Sequence, residues 1–337
     1  MDLCQVAEIT VRTQNNIAQK EPTDAARLSV APMIDWSDRH FRHFIKLINS
    51  DLVTYSEMIV DKALIHGDVP QLLARSSLDD ACVLQLGGSE AMEMAKAVSI
   101  AETFGHEHEG YVGYNINVGC PSDRVQSGCF GAVLMKEPAR VAAMFRAMRG
   151  KTEKPISVKC RLGVDDQEVE NSLPYFLEAL IEAGCRHVVI HARKAWLQGL
   201  SPKENRDIPP LNYDLPAILK KHWGNEIRME INGGITSLDQ ARDMLHRFDG
   251  VMIGRAAYAN PFMFAPQTRT REEVLMQMRS YIDHHVAQGG RAHQILRHMA
   301  GLYHNIAGAR SWRQLVSESS IHDHNNLLDG FLSRMAA

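Results

Sequence analysis

The stretch Arg228-Met-Glu-Ile-Asn-Gly-Gly-Ile-Thr-Ser-Leu-Asp-Gln-Ala-Arg-Asp-Met-Leu-His-Arg-Phe-Asp-Gly-Val-Met-Ile-Gly-Arg255 contains one whole structural repeat. Residues 228–231 and 250–253 are short apolar runs of strand type, and 238–247 between them suit a helix. Asn232-Gly233-Gly234 ends the first run and Gly254-Arg255 the second. A strand, a helix and a second strand, with turn residues at the strand ends, make the βαβ unit of a parallel sheet. Glycines at such ends leave backbone N–H groups free to cradle a phosphate, and Arg255 offers it a planar, permanently charged partner.

The same alternation recurs upstream. Strands are predicted at 28–31, 52–55, 82–86, 114–118, 156–160 and 187–191, and helices at 91–103, 138–149, 172–183 and 215–222. Eight strands in step with helices predict an α/β fold of the closed (βα)8 TIM-barrel type. An open doubly wound sheet is the alternative, but no Gly-x-Gly-x-x-Gly follows the first strand. Polar and small residues gather where each strand stops: Pro32-Met33, Ser56-Glu57, Gln85, Asn117 with Cys120, Lys159-Cys160-Arg161 and His191-Ala192-Arg193. Barrel enzymes build their sites at those carboxyl ends. Residues 1–27 read as a tail, 28–264 as the barrel and 265–337 as a C-terminal all-helical domain. Within that last part, 265–271 reads as a linker and helices are expected at 272–285, 292–305 and 311–317.

Bulk composition narrows the function classes. A net charge of −3 excludes a strongly basic nucleic-acid binder, so any RNA contact must come from a local patch. Six scattered cysteines, none paired at metal-ligand spacing, fit a reducing cytoplasm. No apolar run reaches the length of a membrane helix, and Asp2 and Glu8 argue against a secretory signal. His106-Glu-His-Glu109 and His284-His285 lack further ligands at sensible spacing and read as solvated residues, so no metal is expected. A monomer is expected.

The segment Asn115-Ile-Asn-Val-Gly-Cys-Pro-Ser-Asp-Arg-Val-Gln-Ser-Gly-Cys-Phe-Gly-Ala132 carries the chemistry. Asn117 ends a strand, Gly119 turns the chain and Pro121 stiffens it, so the Cys120 thiol faces the barrel mouth. A thiol there can serve as a proton donor or a nucleophile. Cys129 competes on the same loop, whereas Cys82, Cys160 and Cys185 fall in or beside apolar strands and read as packing. Lys159, partly desolvated at a strand end, needs an anionic partner. A reduced flavin is one candidate, and a Schiff-base role is the rival reading. His191 and Gln85 are placed to hydrogen-bond the ring of a cofactor.

Several motifs resemble tRNA-dihydrouridine synthases, the bacterial A-type subgroup in particular. They are Ser29-Val-Ala-Pro-Met-Ile-Asp-Trp-Ser-Asp-Arg-His40, Asn115-Ile-Asn-Val-Gly-Cys-Pro-Ser-Asp-Arg124, His191-Ala-Arg-Lys-Ala-Trp196, Ser201-Pro-Lys-Glu-Asn-Arg206, Glu230-Ile-Asn-Gly-Gly-Ile235 and Gly308-Ala-Arg-Ser-Trp-Arg313. The resemblance implies an FMN barrel with NADPH as reductant, acting on uridines 20 and 20a of the tRNA D-loop. It implies hydride transfer from reduced FMN to C6 of uracil, with Cys120 protonating C5 from the opposite face. It also assigns Pro32, Met33, Ile34, Gln85, Lys159, His191, Asn232, Gly233, Gly234, Gly254 and Arg255 to FMN, and Asn117 and Lys203 to RNA near the flipped uridine. Val133 and Cys129 depart from the family pattern without touching those roles.

From residue 265 onward there are eight arginines, seven histidines, six acidic residues and no lysine, a net charge of about +2. Arg291, Arg297, Arg310 and Arg313 are candidates for phosphate contacts, and Arg193, Lys194 and Lys203 border the sixth βα loop. A small-molecule pyrimidine or enone reductase on the same barrel would have no need of that tail. A non-catalytic RNA-binding scaffold would be colourless, whereas a flavoenzyme is yellow.

Overall fold

The computed structural model describes residues 27–108 and 110–318. Among these residues the strands are β1 (Leu28–Val30), β2 (Val53–Tyr55), β3 (Ile59–Val60), β4 (Cys82–Gly87), β5 (Gly113–Val118), β6 (Ile156–Arg161), β7 (His187–His191), β8 (Arg228–Asn232) and β9 (Gly250–Ile253). Every pairing is parallel. β1 pairs with both β2 and β9, and β2 with β4, so the sheet closes into the expected eight-stranded barrel.

One strand is not as the sequence suggests. β2 pairs with the start of β4 (Thr54 opposite Cys82) and β3 with its end (Ile59 opposite Leu86). The second barrel strand is therefore broken at 56–58. The break frees Ser56, whose Oγ accepts from the Gln85 N–H at 3.0 Å, and brings Met58 to the mouth.

Side chains alternate along each strand, so one parity of residues fills the barrel and the other packs under the helices. Ala31, Tyr55, Val189 and Met252 form a small apolar plug inside the barrel, apart from the main core. The main core lies between barrel and helices and includes Phe41, Phe44, Ile116, Phe176 and Ile190. Local chemistry sets the helix starts. Asp38 Oδ1 accepts from the N–H groups of His40 (2.9 Å) and Phe41 (3.0 Å) at the head of the helix Arg39–Ile48, and Ser237 caps Leu238–Leu245.

Beyond β9, the helix Arg271–Ala287 opens with a capping box in which Thr270 and Glu273 each satisfy the other's backbone. The expected 265–271 linker therefore ends one residue early. The expected helix over 292–305 is an α-turn, His293–Leu296, followed by a 3-10 segment, Arg297–Gly301. Its backbone presses at Gly301 on the end of the short helix Arg255–Ala259 that follows β9, where a Cβ would fall 2.5 Å from the Ala259 carbonyl oxygen. The last described helix, Ala309–Glu318, is locked by Trp312, whose Nε1 donates to the Met299 carbonyl at 2.7 Å. This segment docks on the barrel through Arg39–Ile48, with the Tyr281 ring stacked on His43 at 3.8 Å. Among the described residues no helix is long and apolar enough to cross a membrane. Of the tail read at 1–27 only Arg27 is described, and its guanidinium donates to the carbonyls of Leu245, Phe248 and Asp249.

Candidate active site

A cavity of about 900 Å³ opens at the carboxyl ends of the strands. Pro32, Met33, Ile34, Gln85, Lys159, His191, Asn232, Gly233, Gly234, Gly254 and Arg255 all line it, together with Asn117 and Cys120. Arg193, Lys194, Lys203, Arg310 and Arg313 do not. Arg193 donates to the Pro209 carbonyl, and Lys194 Nζ donates to the Gln167 carbonyl at 2.7 Å and lies over the Trp196 ring. Lys203, Arg310 and Arg313 are exposed.

Cys120 is held from behind by a line of buried amides. Its N–H and that of Gly119 donate to Asn117 Oδ1 at 3.0 and 3.1 Å. Asn117 Nδ2 donates to Gln85 Oε1 (2.9 Å), Gln85 Nε2 to Asn115 Oδ1 (2.7 Å) and Asn115 Nδ2 to Ser157 Oγ (2.9 Å). Each bond fixes the orientation of the next amide, so the thiol's loop is anchored in the barrel core. The Cys120 carbonyl accepts from Ala132 N at 2.9 Å, a contact that needs Gly131 at φ 75°, where a Cβ would strike that oxygen at 2.6 Å. Cys120 is half-buried, with Ser122 Oγ 3.5 Å from its sulfur. Cys129 is exposed and lies outside the cavity, while Cys82, Cys160 and Cys185 are buried.

The floor is cationic and incompletely partnered. Removal from water pushes the Lys159 amine down to about 8, with Arg161 adding to the effect, and among the described residues no carboxylate lies against it. Arg161 is buried too, and its donors meet the carbonyls of Gly119 (2.9 Å), Lys194 (3.0 Å) and Asn205 (2.8 Å). Burial, then Arg161 and Lys159, hold His191 far below its ordinary titration, so it is neutral. Asn232 Nδ2 donates to the Met252 carbonyl, which turns Asn232 Oδ1 toward His191 Nδ1 at 2.9 Å. The proton therefore sits on Nδ1, and Nε2 is a buried acceptor without a partner among the described residues. Gly233, at φ 106°, lies against that ring, and a Cβ there would come within 3.1 Å of Nε2.

A buried acceptor without a donor, a desolvated ammonium without an anion and glycine backbone at β8 are what a bound planar group carrying negative charge would complete. On the far side Arg255 already forms a two-pronged pair with Asp207 (2.7 and 3.2 Å), so an anion there would share it. Trp36, Met58, Arg206, Asn260 and His304 also line the cavity without a role expected from sequence, as does Arg161, placed there at a strand end but given no role. For Arg161 a signal existed: it stands two residues after Lys159 on β6 and so shares its face.

A positioned thiol and a desolvated lysine meeting at the carboxyl ends of the strands give this fold the mouth of a (βα)8-barrel enzyme. Sequence comparison places it further. The profile described as Dihydrouridine synthase (Dus) matches residues 29–335, and the chain belongs to that family. Among its relatives is the tRNA-dihydrouridine(20/20a) synthase of Shewanella oneidensis, 44% identical over 317 residues, or 91% of this chain and 92% of the other. The enzymes of that name from Vibrio parahaemolyticus (44% over 309 residues; 88% and 93%) and Synechocystis sp. (43% over 304 residues; 87% and 89%) are similar at nearly the same level.

Proposed function

We propose that this protein reduces the C5=C6 bond of uridines in the tRNA D-loop, at positions 20 and 20a, as a flavoenzyme with FMN bound in the barrel mouth and NADPH as reductant. The observation that carries this reading is the meeting of Lys159, His191 and Cys120 in one cavity of a dihydrouridine synthase family member. FMN, when bound, supplies hydride to C6 of the uracil ring. Lys159 would balance negative charge on the flavin, His191 Nε2 would accept a hydrogen bond from it, and Gln85 keeps one N–H beyond its bond to Asn115 that would be offered to it. Pro32, Met33 and Ile34 wall the ring, while Asn232, Gly233, Gly234, Gly254 and Arg255 surround the phosphate end.

Cys120 gives its proton to C5 as charge develops there, and its anchored loop keeps the thiol within reach of that carbon. Asn117 presents its remaining N–H to the base. A uracil reaches this depth only unstacked, which suits a loop nucleotide better than a paired one. The segment from residue 265, with Arg310 and Arg313, and the loop residues Arg193, Lys194 and Lys203 contact the tRNA backbone. The protein works as a monomer in the cytoplasm.

Nucleoside mass analysis of tRNA from cells lacking the protein tests the substrate. We expect D-loop dihydrouridine to disappear at the affected positions; unchanged dihydrouridine would overturn the reading.

A further inference from the structure

Trp36 lines the cavity, and the residue is 38% exposed. It is also firmly held. One face of the indole stacks on Tyr258, with ring centroids 4.5 Å apart and planes 19° from parallel. Tyr258 is fixed in turn, its hydroxyl 3.1 Å from Nδ1 of the fully buried His298, whose Nε2 lies 2.9 Å from Asp38 Oδ2. Arg297 donates to the same oxygen at 2.8 Å. Asp38 thus joins the first βα loop to the C-terminal segment with one oxygen while capping Arg39–Ile48 with the other.

The backbone beneath the indole is equally constrained. Trp36 N–H donates to the Met33 carbonyl at 3.0 Å, Ser37 Oγ accepts from Met33 N–H at 2.8 Å, and Asp35 is held at φ 65°. A large aromatic side chain, exposed at a cavity lip and fixed before anything binds, offers a flat apolar surface at little entropic cost. Arg206, Arg255 and His304 line the same cavity, so the surface lies in a setting suited to an anionic planar ligand.

We propose that Trp36 is a stacking platform for a second nucleobase of the RNA, one that flanks the reacting base and rests at the lip while its neighbour enters the cavity. This rests on the reading of the substrate as tRNA. Tyr258, behind the indole, is a positioning residue that keeps the ring at its angle. The cost of splaying one base into the cavity is then partly offset by restacking its neighbour on protein.

The test is steady-state kinetics of the holoenzyme on unmodified tRNA, comparing wild type with Trp36→Ala, Trp36→Leu and Trp36→Phe. Losing a base–aromatic stack predicts a KM for tRNA raised about 5- to 100-fold in the Ala and Leu variants, with a smaller change in kcat. Trp36→Phe, which keeps a flat π-face, should recover most of that loss, and the KM for NADPH should not move in any variant. An active wild type with an unchanged tRNA KM in Trp36→Ala would overturn the platform alone. So would a rise confined to the NADPH KM, which would assign the surface to the dinucleotide, or a Phe variant as impaired as the Ala variant. A wild type that is yellow but inert on tRNA would overturn the proposed function and this inference with it.

Discussion

The two ends of the barrel treat buried charge in opposite ways. At the amino end Glu230 is almost fully buried, and each of its oxygens is met: Arg228 donates to Oε1 at 3.0 and 3.1 Å and Ser29 to Oε2 at 3.1 Å, while His187 Nε2 lies 3.0 Å from Oε1 without hydrogen-bond geometry. Burial alone would raise its carboxyl, but His187 and Arg228 outweigh that and bring it to about 2. At the carboxyl end Lys159 and His191 are half-buried at the cavity, and among the described residues no carboxylate meets either. The same scaffold therefore holds a finished electrostatic cluster at one end and an unfinished one at the other. The finished cluster serves stability. The unfinished one costs stability, as sites built for binding do.

Substitutions can break or sharpen this contrast. The largest stability effect belongs to the finished end. A carboxyl lowered from 4.5 to about 2 contributes stability that is present above its unfolded pKa and lost as pH falls through the folded one. Glu230→Gln should therefore remove about 3 kcal/mol at neutral pH and flatten the acid limb of stability between roughly pH 4.5 and 2, read by denaturant titration. If the variant is as stable as wild type, the amino end is not the stabilising one.

At the unfinished end the sign reverses. The Lys159 ammonium is disfavoured by folding below pH 8, so Lys159→Met should stabilise the flavin-free protein by up to about 3 kcal/mol while weakening FMN binding. A Met variant that binds FMN like wild type would remove Lys159 from the cofactor site.

The smallest expected effect is on pH. An anion is favoured by the ammonium present below pH 8 and meets a neutral amine above it, so FMN affinity should fall as pH rises through 8, by at most about tenfold per unit. Fluorescence titration reads this slope, and Lys159→Met should abolish it.

Much of the site was legible because barrels obey parity. Asn115 and Asn117, and Ser157, Lys159 and Arg161, stand two apart on their strands and so share the inner face. A loop position past the end of its strand separated Cys120 from the thiols in or beside strands. What strand parity cannot show comes from loops and distant segments. Trp36 gains its meaning only against Tyr258 and His298, some 220 to 260 residues away. The break between β2 and β3 and the 3-10 turn at Arg297–Gly301 were hidden for a similar reason. Both depend on close contact with other parts of the chain, which local propensity does not encode.

The most direct test of the central claim uses purified wild-type protein and Cys120→Ala, both yellow, each incubated with NADPH and tRNA lacking dihydrouridine. Mapping by mass should find two hydrogens gained at a D-loop uridine with wild type, and turnover reduced at least about 100-fold in the variant. Unmodified tRNA with the yellow wild type, or normal turnover by Cys120→Ala, would contradict it.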